Sequence, residues 1–423
     1  MTVKTNAGLA LLGGQKIREG KTFPAWPLYG ANEERALTRV LNSRVWGVGG
    51  TETDKFEKAF AQYHHCKYCV TMTNGSVTLR NALIACGIEA GSEVIVPPYT
   101  FLATGTSVIE ANCVPIFADI DPDTYCIKPN KIKDAITSHT KAIIPVHLGG
   151  QSADMDEIMK IAKKHGLYVI EDSAHAHGAE YKGRRVGSIG DIGSFSFQSS
   201  KNLCSGEGGA IVSNNKDLAD KCWSIHNCGR VKDGAWYQHE HLGSNYRLSQ
   251  FQAAILNEQM KKLDGETEKR QKNAAYLDKT LSRVPGIIPL VRRAESTRHS
   301  YHLYIFRYDK EKFDGISRKV FLEALNAEGV PASAGYSTLV HRQPFMLKRQ
   351  FGPFNGWIST NPKLNYSETA CPAAEKAAEE EGCWFSQSML LGTKKDMDDA
   401  ADAVLKIYEN KKQLHKLGRR DSK

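Results

Sequence analysis

From about Phe56 to Ser213 the chain alternates short apolar runs with helix-patterned segments, and no other feature restricts its fold as strongly. Seven runs have the composition of buried strands: Cys69–Thr71, Val94–Val96, Pro115–Ala118, Ala142–Val146, Tyr168–Glu171, Gly193–Phe197 and Gly209–Val212. Helical patterns lie between them, among them Thr78–Cys86 stopped by Gly87 and Asp154–His165 stopped by Gly166. Strand–helix–strand units of this kind bury both faces of a mostly parallel sheet. The expectation is one large, doubly wound α/β domain.

The pattern changes after about Leu248. Ser249 to Asp278 reads as one long helix rich in Glu, Lys and Gln, followed by a strand at His302–Phe306, a helix at Arg318–Glu328 and a last helix at Lys395–Tyr408. This predicts a large α/β domain over residues 15–265, a smaller C-terminal α+β domain over 266–410 and a basic tail over 411–423. The Gly/Pro-rich stretch from Gly335 to Pro372 has loop chemistry suited to the mouth of a site.

Composition removes several classes of function. At 41% hydrophobic and 24% charged residues the chain is neither disordered nor fibrous. No apolar run approaches the ~18–20 residues of a membrane span, and Leu9 to Leu12 is too short for a signal-peptide core. A soluble, cytoplasmic protein without a membrane partner is expected. The net charge is +9, but Lys411 to Lys423 carries six Lys/Arg against one Asp, so a solvated terminus accounts for most of it and no nucleic-acid partner is expected. Ten cysteines over 423 residues are too sparse for a disulfide scaffold. His64-His65-Cys66 with Cys69 lacks the second ligand pair of a structural zinc site, so no metal is expected.

Three segments carry chemistry. Asn74-Gly75-Ser76 turns from a strand into a helix, leaving backbone N–H groups and the positive end of the helix free for an anion such as phosphate. Taken alone, it reads better as a plain helix cap, since many α/β turns look like it. A nucleotide P-loop is excluded: Gly20-Lys21-Thr22 has Gln15 where the loop glycine belongs and Pro24 where a helix should follow. No GxGxxG follows a strand. Asp172 ends a buried strand, where open α/β sheets place ligands, and is either a turn residue or the partner of a buried cation. Lys201 follows a strand of alternating Ser and Phe, Gly193–Phe197, and precedes Gly206-Glu207-Gly208-Gly209. It is either a surface charge or a desolvated amine ready for Schiff-base chemistry. His175 and His177 are loop histidines that spacing alone does not make ligands.

Together, a phosphate turn, an acid and a lysine in that order are the parts that pyridoxal 5'-phosphate requires. The chain resembles the DegT/DnrJ/StrS sugar aminotransferases, which are fold-type I pyridoxal-phosphate enzymes. The resemblance rests on Thr73-Asn74-Gly75-Ser76, Glu89 to Pro97, Glu171-Asp172-Ser173-Ala174-His175, Ser194 to Phe197 with Lys201-Asn202, Gly206 to Gly209, and Gly243 to Arg247. It implies that Lys201 is the cofactor-binding, proton-shuttling lysine and that Asp172 pairs with the pyridinium. It further implies that His175 meets the cofactor's phenolic oxygen, that Gly75, Ser76 and Ser196 hold phosphate, and that Phe101 stacks on the ring. Asn245 corresponds to a phosphate contact from a neighbouring subunit, implying a homodimer with composite sites. Tyr99, His177 and Arg230 are candidate substrate contacts. The presence of Lys201 argues against the relatives that carry histidine there and act as dehydratases.

Phe23 to Pro27, Ile144 to Leu148, Ala174 to Gly178 and Gln198 are similar to the branch of L-glutamine:scyllo-inosose aminotransferases and 3-amino-5-hydroxybenzoate synthases. The activity implied is amino transfer from L-glutamine or L-glutamate to a keto-sugar or keto-cyclitol. A dehydrating, aromatising lyase and a non-catalytic cofactor-binding regulator are the alternatives.

Overall fold

A computed structural model describes residues 8–349 and 365–418. Seven strands form the central sheet: β1 (Tyr68–Met72), β2 (Glu93–Val96), β3 (Val114–Phe117), β4 (Thr140–Ile143), β5 (Tyr168–Asp172), β8 (Ile192–Ser196) and β9 (Gly209–Ser213). The pairs β6 (Glu180–Tyr181) and β7 (Arg184–Arg185) make a small separate hairpin. The sheet order is β1-β9-β8-β5-β4-β2-β3, and only β9 runs against its neighbours. Six strands therefore present their carboxyl ends along one edge, where the connecting loops gather.

Six of the seven strands lie within a residue or two of their expected positions. The fourth does not: it spans Thr140–Ile143 rather than Ala142–Val146. Pro145 has no N–H to give the ladder, so the continuous strand stops before it. Only an isolated parallel bridge from Val146 to Asp172 follows, with Pro145 O accepting from Asp172 N (2.9 Å) and His147 N donating to Asp172 O (3.1 Å). Helix α3 (Gly75–Ala85) begins three residues before the apolar pattern does, because Asn74 caps it by accepting from Val77 N (3.0 Å). Helices α1 (Ala31–Ser43), α2 (Glu52–Tyr63), α4 (Ala103–Glu110), α5 (Pro129–Ala135), α6 (Met155–His165) and α7 (Lys216–His226) complete the large layer.

The long helix is α8, Gln250–Leu281, opened by a Ser249–Gln252 capping box. Its first half buries Leu256 and Leu263 against Phe56, Phe60, Phe195 and Phe197. Its second half buries Leu277 and Leu281 in another core, with Phe306, Phe321, Phe385 and Ile407. That core underlies the antiparallel strands β10 (Ile287–Pro289), β11 (Leu303–Tyr308) and β12 (Gly382–Ser386), with α9 (Arg318–Ala327) and α10 (Lys394–Glu409). Arg18, inside the stretch assigned from sequence to the large domain, pairs instead with Asp396 (2.8 Å) and Asp399 (3.0 Å) of α10. The basic tail, expected as a solvated terminus, begins as a helix, α11 (Lys411–Gly418), with Leu414 fully buried. Of the Gly335–Pro372 segment, residues 350–364 lie outside the described residues. Among the described residues no helix is long and apolar enough to cross a membrane, and no group of three or more His, Cys, Asp or Glu is placed to hold a metal ion.

Candidate active site

Strand order brings the distant motifs together. Gly209 of β9 pairs with Met72 on one side and Ser196 on the other, so the turn after β1 and the end of β8 become neighbours. The approach is close enough that a Cβ on Gly75 would lie 2.7 Å from Ser196 Cβ, so glycine is needed here for space. The N–H groups of Gly75 and Ser76 have no acceptor among the described residues, while Val77 N and Thr78 N are satisfied by Asn74. Two backbone donors at a helix N-terminus, with the nearby Ser196 hydroxyl, suit a phosphate.

Asp172 closes β5 beside Ser194 of β8. It is buried, and its Oδ2 accepts from Thr104 Oγ1 (2.8 Å) while Oδ1 accepts from Ala174 N (3.2 Å). Burial raises its pKa above the ordinary carboxylate value, against the opposing help of Thr104, Ala174 and the Lys201 charge. Lys201 feels the converse: desolvation of its amine lowers the pKa to about 8, while Asp172 resists the shift. The two groups sense each other across a shared cavity of about 960 Å³.

His175 is buried, and its Nδ1 accepts from Gly149 N (3.3 Å), leaving the proton on Nε2. Burial holds it neutral, with a pKa well below the usual histidine value. Its ring packs on His302 with centroids 4.3 Å apart. His302 in turn sits over Asn202 (Nδ1 to Oδ1, 3.3 Å), the residue after Lys201. A neutral imidazole donating through Nε2 suits an anionic oxygen.

Behind Asp172 stands a purely structural carboxylate. Glu171 is fully buried and accepts from His147 Nε2 (2.9 Å), Gly187 N (2.7 Å), Ile189 N (2.7 Å) and Gly190 N (2.6 Å). Burial alone would raise its pKa, but these donors outweigh it and hold the carboxyl below the ordinary value.

The cavity wall contains Gly75, Ser76, Phe101, Asp172, His175, Ser196 and Lys201, all singled out from the sequence. Phe101 is 55% exposed at the mouth, free to lie over a bound ring. Asn245 is exposed and does not line this cavity. Two of the three candidate substrate contacts are core residues. His177 is fully buried among Phe195 and Phe197, and Tyr99 is fully buried behind Tyr336 and Trp384. Arg230 lies outside the cavity, its Nε donating to Trp236 O (3.4 Å). Thr104, His302, Tyr336, Trp384 and Gln387 line the cavity without having been anticipated. Tyr336 and Trp384 meet edge to face at 4.7 Å. Gly335, at φ +68°, leaves no room for a Cβ over the Trp384 ring. Of the unanticipated residues, only Tyr336 lies in the Gly335–Pro372 stretch that the sequence marks as a candidate site mouth.

A family model for DegT/DnrJ/EryC1/StrS aminotransferases matches residues 27–361, most of the chain. The chain belongs to that family. Its members in this comparison include the L-glutamine:2-deoxy-scyllo-inosose aminotransferase of Streptomyces paromomycinus, 36% identical over 418 residues, covering 95% of this chain and 98% of the relative. Among solved structures, 3-amino-5-hydroxybenzoic acid synthase superposes with a TM-score of 0.83 at 31% identity, covering 92% of this chain and 98% of that one. A Bacillus subtilis relative solved with bound PMP superposes with a TM-score of 0.79 at 29% identity, covering 93% and 87%. The fold is accordingly fold-type I, and the chain is an aminotransferase of pyridoxal-phosphate chemistry.

Proposed function

We propose that this aminotransferase takes the amino group of L-glutamine and delivers it to the ketone of a keto-cyclitol, with pyridoxal 5'-phosphate held between Lys201 and Asp172. The observation that carries this reading is the Lys201 amine, lowered to about 8 by burial and facing the Asp172 carboxylate in one cavity. The Gly75 and Ser76 N–H groups and the Ser196 hydroxyl would hold the phosphate, His175 Nε2–H the phenolic oxygen, and Phe101 one ring face. Bound there, the cofactor supplies a ring that accepts electrons from the donor's Cα and then returns them to the acceptor carbon. Asp172 keeps positive charge on the ring nitrogen. Lys201, half in its neutral form near pH 8, takes a proton from one carbon and returns it to the next.

The relatives named for 2-deoxy-scyllo-inosose and L-glutamine support the choice of substrates. A homodimer with composite sites is supported by the exposed position of Asn245, away from its own chain's cavity, and by exposed apolar side chains in the same connection between α7 and α8. Trp236 is 83% exposed, Tyr237 74% and Leu242 92%. Mixing the cofactor-loaded protein with L-glutamine should abolish its visible absorbance, and 2-deoxy-scyllo-inosose should then restore it with an aminocyclitol as product. An unchanged spectrum with both L-glutamine and L-glutamate would refute the reading. Product from an amino-cyclic acid without any amino donor would favour the lyase alternative.

A further inference from the structure

The two substrates pose one cavity a conflicting demand. An amino acid brings a carboxylate, whereas a keto-cyclitol brings only neutral hydroxyls. Among the described residues the cavity wall contains no arginine. A guanidinium facing the cavity would grip the first substrate well but would stand unpaired and desolvated against the second.

The chain does hold an arginine, one layer back. Arg270 of α8 is fully buried, with its ring-stacking face toward Trp26 (5.4 Å from the ring centroid) and Nη2 on Glu266 Oε2 (3.1 Å). Burial lowers its pKa to about 10, against the opposing pull of Glu266. Its Nε and Nη2 also both donate to Gln387 Oε1, at 3.0 and 2.7 Å. Gln387 directly follows β12, is 3% exposed and lines the cavity. With Oε1 taken by two guanidinium N–H groups, its amide cannot be flipped without setting donor against donor. Its Nε2 donors find no acceptor among the described residues.

We propose that Gln387 is the group with which this chain recognises an oxygen of both substrates: the donor's carboxylate in one half-reaction and a ring hydroxyl of the keto-cyclitol in the other. Arg270 is the positioning residue that orients and polarises it. A neutral amide serves both ligands because an N–H accepts either an anionic or a neutral oxygen as partner. The arginine behind it strengthens the amide as a donor without exposing a net charge, since Glu266 neutralises the pair. The inference rests on the substrate classes proposed above.

The test separates the half-reactions of the holoenzyme by following cofactor absorbance with L-glutamine, and then with 2-deoxy-scyllo-inosose added to the amine-loaded form. Gln387→Glu keeps the bonds to Arg270, so its fold is secure, but it turns a donor into an anionic acceptor. It should raise the half-saturating L-glutamine concentration about 100-fold or more, through like-charge opposition, and that of the keto-cyclitol, whose hydroxyls can donate, by about tenfold at most. Limiting rates should change little in either step. Gln387→Met, which lacks the donor, should raise both concentrations about tenfold. Arg270→Lys should raise them in the wild-type background but add nothing in the Gln387→Met background, the mark of action through one group. Equal effects of Gln387→Glu on both substrates, or none on either, would overturn the assignment to Gln387. Additive effects of the two substitutions would overturn the role of Arg270. If wild-type protein fails to respond to L-glutamine at all, the substrate reading falls first and this inference with it.

Discussion

Burial of the Lys201 amine shifts its pKa from 10.5 to about 8, so the nucleophilic form is already plentiful at neutral to mildly basic pH. The rate at which apo-protein takes up pyridoxal phosphate, read from visible absorbance, should rise with pH and level off above about 8. A continued rise toward 10 would mean an ordinary exposed lysine. Lys201→Ala should reduce turnover to background while leaving the fold intact. Asp172 responds oppositely, because a raised carboxyl pKa means that charge is lost at a higher pH than usual as the solution is acidified. Thr104→Val removes the hydroxyl from Oδ2. It should lower kcat about tenfold and move the acid limb of the pH–rate profile upward, in line with ~1.5–3 kcal/mol for a hydrogen bond to a charged group. Lys201 and Asp172 could be singled out from sequence because each sits in a local motif, and both line the one cavity. Thr104 could not, because nothing in Thr100-Phe101-Leu102-Ala103-Thr104 announces that its hydroxyl will meet a carboxylate 68 residues later.

Elements hold these residues through a few heavily used joints. Glu171 ties β5 to His147 and to the backbone of 187–190. Its lowered pKa makes it a source of stability that is complete above the unfolded value of about 4.5 and is lost as pH falls through the lower folded value. Glu171→Ala, which strands these buried donors, should cost about 3–5 kcal/mol in a chemical denaturation experiment. In the middle of α8, Gly265 is exposed and a Cβ there would meet nothing. Gly265→Ala should therefore stabilise the protein by about 0.5–1 kcal/mol, seen as a higher denaturation midpoint, without changing kinetics. Element positions were readable wherever apolar periodicity and capping agreed, as at α6 with Gly166. They slipped at Pro145, which interrupts the ladder inside an apolar run and leaves Val146 as a single bridge.

At the scale of the whole molecule, the exposed lobe around Trp236, Leu242 and Asn245 is the proposed contribution of each subunit to its partner's site. If so, Lys201→Ala and Asn245→Ala proteins, each impaired, should complement when unfolded together and refolded. A random mixture would recover about a quarter of wild-type activity, from hybrid dimers with one intact site. No recovery above the separate variants would exclude shared sites. Leu242→Asp should shift the species seen by size-exclusion light scattering toward monomer.

The sequence was enough to name the cofactor chemistry and the fold class: a glycine turn before a helix, an acid at a strand end and a lysine before a Gly-rich loop point to the cofactor, and the alternation of apolar runs with helical patterns points to the α/β layer. Which surfaces face one another is a property of the order β1-β9-β8-β5-β4-β2-β3 and of α8 crossing from one core to the other. The strand order seats Ser196 against Gly75, packing of the loops on the sheet removes His177 and Tyr99 into the core, and the path of α8 past β12 sets Arg270 behind Gln387. Contacts between residues 100 or more apart leave no trace in periodicity, because they are chosen by packing among whole elements.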